Sequence, residues 1–238
     1  MLRITVWNEN VHEKVDPEVA ALYPNGIHGA VAAALGTESD FTIRTATLDE
    51  PECGLTEDVL ESTDVLFWWG HRAHNDVPDE IVDRVQRHVL RGMGLVVLHS
   101  GHNSKIFKRL CGTSCSLDWH YGSRERIFAI NPAHPIAQGL PPYFELSEEE
   151  CYAEPFGIPE PDELVFIGWY NTGEVFRSGC CFYRGNGRMF YFQPGHETYG
   201  IYYDPNIRQV LRNAARWAAP VVKTAELVCH NTAPLETV

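Results

Sequence analysis

The spacing of apolar and polar positions divides the chain into two unlike halves. Residues 2–7 alternate and are rich in β-branched side chains, which predicts a strand. A polar loop is expected over 8–24. After it come an apolar helical repeat over 26–35, a strand over 41–46, a short helix over 56–61 and an almost continuously apolar strand over 64–69. Continuous apolarity implies burial on both faces. Residues 78–91 carry Ile81, Val82, Val85, Val89 and Leu90 at helical spacing and stop at Gly92, and 95–98 is a fourth apolar run. Strand and helix alternating in this way predict an α/β fold with a doubly wound, mostly parallel sheet and helices on both faces.

Beyond that point the pattern changes. Residues 126–130, 164–170, 180–183 and 188–192 are strand-like and separated by turns rich in glycine, proline and asparagine, so they are expected as antiparallel additions. Gly185-Asn-Gly187 is a hairpin turn signal. A last helix over 205–217 places Ile207, Val210, Leu211, Ala214 and Trp217 on one side. One domain over 1–220 follows, with a tail over 221–238 that has no period. The tail is expected to be loosely held or engaged between subunits, and with the aromatic content it suggests a homo-oligomer.

Open α/β sheets bind ligands at the carboxyl ends of their strands, so the polar residues following each strand are the candidates. The sharpest transition is Leu98-His-Ser-Gly-His-Asn-Ser-Lys105, a strand, tight turn and helix start in which the elbow position holds His99 rather than cysteine or a GxSxG serine. Ser100 lies one residue beyond it, which leaves serine hydrolase chemistry a weak reading. Asn8, Glu9 and Asn10 follow the first strand, and Gly70, His71 and His74 the third. Ser100, His102 and Asn103 follow the fourth, and Gln193-Pro-Gly-His-Glu197 the last. His28 opens the first helix on the same edge. A single loop histidine is ordinarily a solvated side chain, but four segments meeting at one edge favour a site.

Histidine serves as acid, base, hydrogen-bond donor or metal ligand near neutral pH. His71-Arg-Ala-His74 has a chelating spacing, and with His102 and His120 it makes a tentative ligand set for one divalent metal, zinc foremost. No nucleotide cofactor is expected. The acidic run Glu148-Glu-Glu150 reads first as a solvated loop, with Glu150 as a carboxylate able to orient or assist. Trp69, Trp119, Tyr121, Tyr152 and Tyr202 supply the aromatic faces that a sugar site needs. His12, His88, His134 and His230 follow no parallel strand and are assigned to the surface.

Lysine and arginine number 19 against 32 aspartates and glutamates, a formal charge of −13, which excludes nucleic acid and anionic membranes as expected partners. No run reaches the roughly 18 apolar residues of a membrane span, and a cytoplasmic protein is expected. The seven cysteines show no CxxC spacing and read as free thiols.

Together, Tyr23-Pro-Asn-Gly-Ile-His-Gly29, Trp68-Trp-Gly-His-Arg-Ala-His74, the elbow segment, Leu117-Asp-Trp-His120, Glu149-Glu-Cys-Tyr-Ala-Glu-Pro-Phe156 and Gln193-Pro-Gly-His-Glu197 resemble the ThuA (trehalose utilisation) family. That family is a branch of the class I glutamine amidotransferase-like superfamily. The resemblance implies a flavodoxin-like fold and a role in using trehalose or related disaccharides, including keto-sugar intermediates. It also implies that glutaminase activity is absent, since the elbow cysteine position holds His99 and the late motif is reduced to His196-Glu197. The expected function is sugar processing, with His99 and His196 transferring protons and Glu150 assisting. Asn8, Asn10, His28, Trp69, Ser100, Asn103, Glu197 and Tyr202 are expected to bind the small-molecule sugar. The alternative is a non-catalytic sugar-binding or regulatory module.

Overall fold

The computed structural model of the protein describes residues 1–225 and 231–236. Among these residues nine strands form one sheet in the order β2-β1-β3-β4-β9-β8-β7-β5-β6. Strands β1 (Leu2–Asn8), β2 (Phe41–Thr47), β3 (Val65–Trp69), β4 (Gly94–Leu98) and β9 (Gly187–Phe192) run parallel. Strands β5 (Asp118–Ala129), β6 (Tyr143–Ala153), β7 (Glu163–Tyr170) and β8 (Val175–Arg184) extend the sheet antiparallel from β9.

Because side chains alternate across a strand, each apolar strand feeds two cores. Phe67, Trp69, Val96 and Leu98 pack with helices α3 (Gly26–Leu35) and α7 (Pro205–Ala218) on one face. Leu66, Trp68, Leu95 and Val97 pack on the other face with α5 (Asp79–Arg91) and α6 (Lys105–Cys111), beside the short α4 (Glu57–Glu61). The doubly wound α/β class expected from the sequence is therefore present. Helix α7 starts where Asp204 accepts the Asn206 and Ile207 amides and Pro205 presets the first turn. Asp204→Ala is expected to cost about 1 kcal/mol of unfolding free energy, read by urea denaturation.

Four expectations need correction. The 188–192 segment is not an antiparallel addition at its inner edge: β9 pairs in parallel with β4 and antiparallel with β8, joined by the Gly185-Asn186 turn, where Gly185 has φ 60°. The 8–24 loop contains α1 (His12–Val15) and α2 (Pro17–Leu22), the latter capped by Asp16 and begun by Pro17. The acidic run is not a solvated loop: it lies in β6, with Glu149 and Glu150 buried. Leu90 is exposed, and His88 takes the inward position on α5.

Three of the four histidines assigned to the surface are in fact buried. His12 opens α1, His88 meets Glu57 at 2.8 Å, and His134 caps a short helical turn through the Ile136 amide. His230 lies outside the described residues. The first part of the tail is tied down: the Thr224 amide donates to the Arg91 carbonyl, and Lys223 reaches Thr63 and Asp64.

Candidate functional site

Strand β4 ends at Leu98, and the chain turns at His99 with φ +50°, a region sparsely used by residues other than glycine and typical of functional elbows. A short helical turn then leads to Ser104, whose hydroxyl accepts the Phe107 amide and starts α6. The His99 ring is completely buried and stacks on Tyr152, with centroids 4.9 Å apart. Its Nδ1 is 2.8 Å from the Gln193 carbonyl, and Nε2 is 3.2 Å from Glu150 Oε2 and 3.3 Å from the Tyr152 hydroxyl.

Oxygen acceptors at both ring nitrogens favour the imidazolium. Burial lowers the His99 pKa, but the Glu150 hydrogen bond and the charges of Glu149 and Glu150 outweigh it, so the net shift is upward. Glu150 responds in the opposite sense. Burial pushes it up, while His99, His196 and His71 pull it below the usual carboxylate range. The pair is therefore a charged, buried couple, with Glu150 also facing a cleft of about 310 Å³.

The segment after β9 is held by Glu149. Its Oε2 accepts the Gly195 amide at 2.7 Å, and Oε1 accepts the Glu150 and His196 amides at 2.8 and 3.2 Å. Trp69 Nε1 donates to the Gly195 carbonyl at 3.1 Å. Gly195 has φ +144°, and a Cβ there would collide with the Tyr202 ring, so glycine is required. The Nδ1 of His196 accepts the Thr198 amide and lies 2.8 Å from the Thr198 hydroxyl, which assigns the ring proton to Nε2. Burial and the nearby His99 push His196 down to about 4, so it is neutral at physiological pH. Its Nε2 sits 3.7 Å from both Glu150 Oε1 and Glu197 Oε2.

Glu197 stands between two more histidines. Oε1 is 3.0 Å from His12 Nδ1, and Oε2 is 3.1 Å from His71 Nδ1 without hydrogen-bond alignment. The two rings stack at 4.8 Å. Burial raises the Glu197 pKa, but His71, His196 and His12 bring it down to about 2. Glu9 secures the His71 loop by accepting the Arg72 and Ala73 amides at 2.7 and 2.9 Å. Four buried atoms in this group, His12 Nε2, His71 Nδ1, His196 Nε2 and Glu197 Oε2, have no hydrogen-bond partner among the described residues.

The candidates divide by position. His71, His74, Ser100, His102, Asn103 and Glu150 line the cleft, with Trp119 and Tyr121 exposed at its rim, 5.2 Å apart. The Ser100 hydroxyl donates to the Gly70 carbonyl and is not activated as a nucleophile. His99, His196 and Glu197 lie beneath, and the neighbouring Glu150 is the member of this buried group that lines the opening.

Asn8, Asn10 and His28 are scaffold. Asn8 donates to Glu13 and contacts His28 Nδ1, and the Asn10 amide donates to Asn8. Trp69 and Tyr202 are buried supports. Burial pushes His74 down to about 4 and His102 to about 3, and His102 Nδ1 lies 2.7 Å from the Cys115 carbonyl.

The expected set His71, His74, His102 and His120 does not converge. Among the described residues, His71 groups with His12 and Glu197, His99 with Glu150 and His196, and His120 with Cys151 and Glu174. Sequence reasoning missed His12 and Glu149 as builders of the site and placed Glu9 at the strand end without a role. His12 follows β1 by four residues, so the strand-end rule carried far enough would have included it.

The family model for ThuA, described as trehalose utilisation, matches residues 3–218. A ThuA-like protein of Parabacteroides merdae superposes with a TM-score of 0.71 at 15% identity, covering 95% of this chain and 92% of that one. A ThuA-like protein of Bacteroides uniformis gives 0.65 at 18% identity, covering 91% of each chain. A cytoplasmic protein of Salmonella typhimurium gives 0.62 at 14%, covering 92% of this chain and all of the other. At these identities the likeness concerns the fold. No curated protein matches in sequence, and no helix among the described residues is long and apolar enough to cross a membrane.

Proposed function

The chain belongs to the ThuA family, whose description is trehalose utilisation, and from that premise we propose that it processes a disaccharide or keto-sugar by acid–base chemistry at the histidine and glutamate cluster. The observation that carries the reading is a group of buried atoms with no hydrogen-bond partner among the described residues, His71 Nδ1, His196 Nε2 and Glu197 Oε2, the last two directly beneath the cleft that His71 and the Glu150 carboxylate line. Each buried polar group left unpaired costs about 1–3 kcal/mol, so a polyhydroxylated ligand that completes them offsets a large penalty. Trp119 and Tyr121 at the rim offer apolar ring faces to a pyranose.

Glu150 is the proton acceptor in this reading, because it is ionised and reaches the cleft. His99 is a positioning residue that keeps it charged. A ketone acidifies the neighbouring C–H. The proton passes to the Glu150 carboxylate, and the electron pair forms an enolate whose oxygen takes a hydrogen bond from His196 Nε2–H. A neutral imidazole donor with a glutamate base is an established pairing for this chemistry. The divalent cation expected from the sequence, zinc foremost, is assigned to His12, His71 and Glu197, whose imidazole and carboxylate groups suit it. When bound it supplies Lewis-acid polarisation of a substrate oxygen. The sugar partner, the homo-oligomer and the cytoplasmic location belong to the same proposal.

Calorimetric titration with trehalose and a keto derivative of trehalose tests the binding half. The keto sugar is expected to bind, and His196→Ala to weaken it about tenfold, the worth of one neutral hydrogen bond of about 1.4 kcal/mol. No binding of either sugar would overturn the assignment.

A further inference from the structure

A second cluster lies apart from this cleft, on the antiparallel part of the sheet. His120 on β5 and Cys151 on β6 are register partners, and Glu174 ends the turn between β7 and β8. One ligand atom from each lies within 4.8 Å of the others. We propose that His120, Cys151 and Glu174 form a binding site for a borderline-soft divalent cation, zinc by its donor set, that clamps β5 and β6 to the β7–β8 turn.

Three observations converge on this site. The first is separation. His120 Nε2 is 3.5 Å from Glu174 Oε1, long for a hydrogen bond, whereas nitrogen and oxygen ligands on a tetrahedral zinc stand about 3.4 Å apart, given bonds of about 2.0–2.2 Å. The second is orientation. His120 Nδ1 is 3.2 Å from the Tyr121 carbonyl, so its N–H donates there and the Nε2 lone pair is left facing the carboxylate. This backbone-held tautomer is the arrangement that orients metal-bound histidines. The third is the state of the other two ligands. Glu174 Oε2 is shielded from solvent and has no hydrogen-bond partner among the described residues, and the fully buried Cys151 thiol makes a 3.8 Å contact to the Tyr152 carbonyl. The cation enters from the half-exposed His120 side and takes a fourth ligand from solvent. Coordination breaks the Cys151 S–H bond, the thiolate sulfur keeps the electron pair for the metal, and the proton leaves to water.

The consequence lies in β6. Cys151 sits between Glu150 and Tyr152, and His99 touches both of those side chains. A cation at Cys151 therefore pins the strand that carries the cleft carboxylate. The inference does not depend on the catalytic reading.

Cobalt(II) titration of chelator-stripped full-length protein is the test, because only thiolate coordination produces the near-ultraviolet sulfur-to-cobalt charge-transfer band. The histidine–glutamate cluster of the cleft has no cysteine and cannot give it. The band is expected to saturate at one equivalent, to be erased by added zinc, and to survive in His71→Ala. It is expected to be lost in Cys151→Ser and in His120→Ala, the latter being a partly exposed position where the fold tolerates truncation. No band in the wild type, or a band persisting in His120→Ala, overturns the site.

Discussion

Glu150→Gln is expected to lower turnover of a keto sugar by about 10²–10⁴-fold, the usual worth of a positioned proton-transfer group, with affinity changed only a few-fold. Glutamine keeps the shape of the side chain and its contact with the cleft but cannot accept a proton. His99 modulates the same step from behind, since its charge holds Glu150 below the usual carboxylate range. A base with a lowered pKa stays active above that pKa and fails as pH falls through it. The acid limb of the rate profile is therefore expected below the ordinary glutamate range. His99→Asn, a residue that tolerates positive φ, is expected to move that limb upward, and a merely structural role for His99 would not shift it.

The second large effect concerns stability. Glu149→Ala removes the acceptor for the buried amides of Glu150, Gly195 and His196. With unpaired groups costing about 1–3 kcal/mol each, the loss of three is expected at about 3–9 kcal/mol by urea unfolding. That is a large part of the about 5–15 kcal/mol that holds a domain together. Burial pushes Glu149 up to about 7 against an ordinary value of 4.5, despite His99 and the backbone donors. The unfolded chain therefore gives up this proton first. Between pH 4.5 and pH 7 it binds fewer protons than the native state, so stability is expected to fall as pH rises through that window. Glu125, buried beside Glu149 and raised by burial and by that neighbour, acts with the same sign. Glu149→Gln, which cannot titrate, is expected to flatten the decline.

The parallel half of the sheet was legible because β3 and β4 are apolar on both faces, β1 alternates, and the longer helices carry clear 3.6-residue periods. Strand β6 was not legible. Its buried positions include Glu149 and Glu150, which are inside because backbone amides and His99 satisfy them, and a hydropathy pattern reads every charge as exposed. The partners of β9 were half legible: its hairpin turn showed in Gly185-Asn-Gly187, but nothing local announces that the other edge docks in parallel on β4. Asp16-Pro-Glu18 marked the start of α2 and was a usable signal.

At the site, the rule that polar residues gather at strand ends brought out His71, His99, His196 and Glu197, all within one cluster. It did not separate residues that face the cleft from those that brace it. Asn8, Asn10 and His28 are spent on one another, whereas His12 arrives through a helix too short to show a period. The assignment of roles rests on burial: His99 is enclosed while Glu150 is open to the cleft, an ordering that composition and spacing do not carry.

The central claim is proton abstraction by Glu150 next to a sugar carbonyl, and proton NMR in deuterium oxide tests it most directly. With a keto derivative of trehalose and catalytic amounts of protein, the signal of the hydrogen beside the carbonyl is expected to disappear through exchange, and to persist with Glu150→Gln. Exchange at the wild-type rate in that variant, or a bound keto sugar whose signal never exchanges with the wild-type protein, would contradict the account.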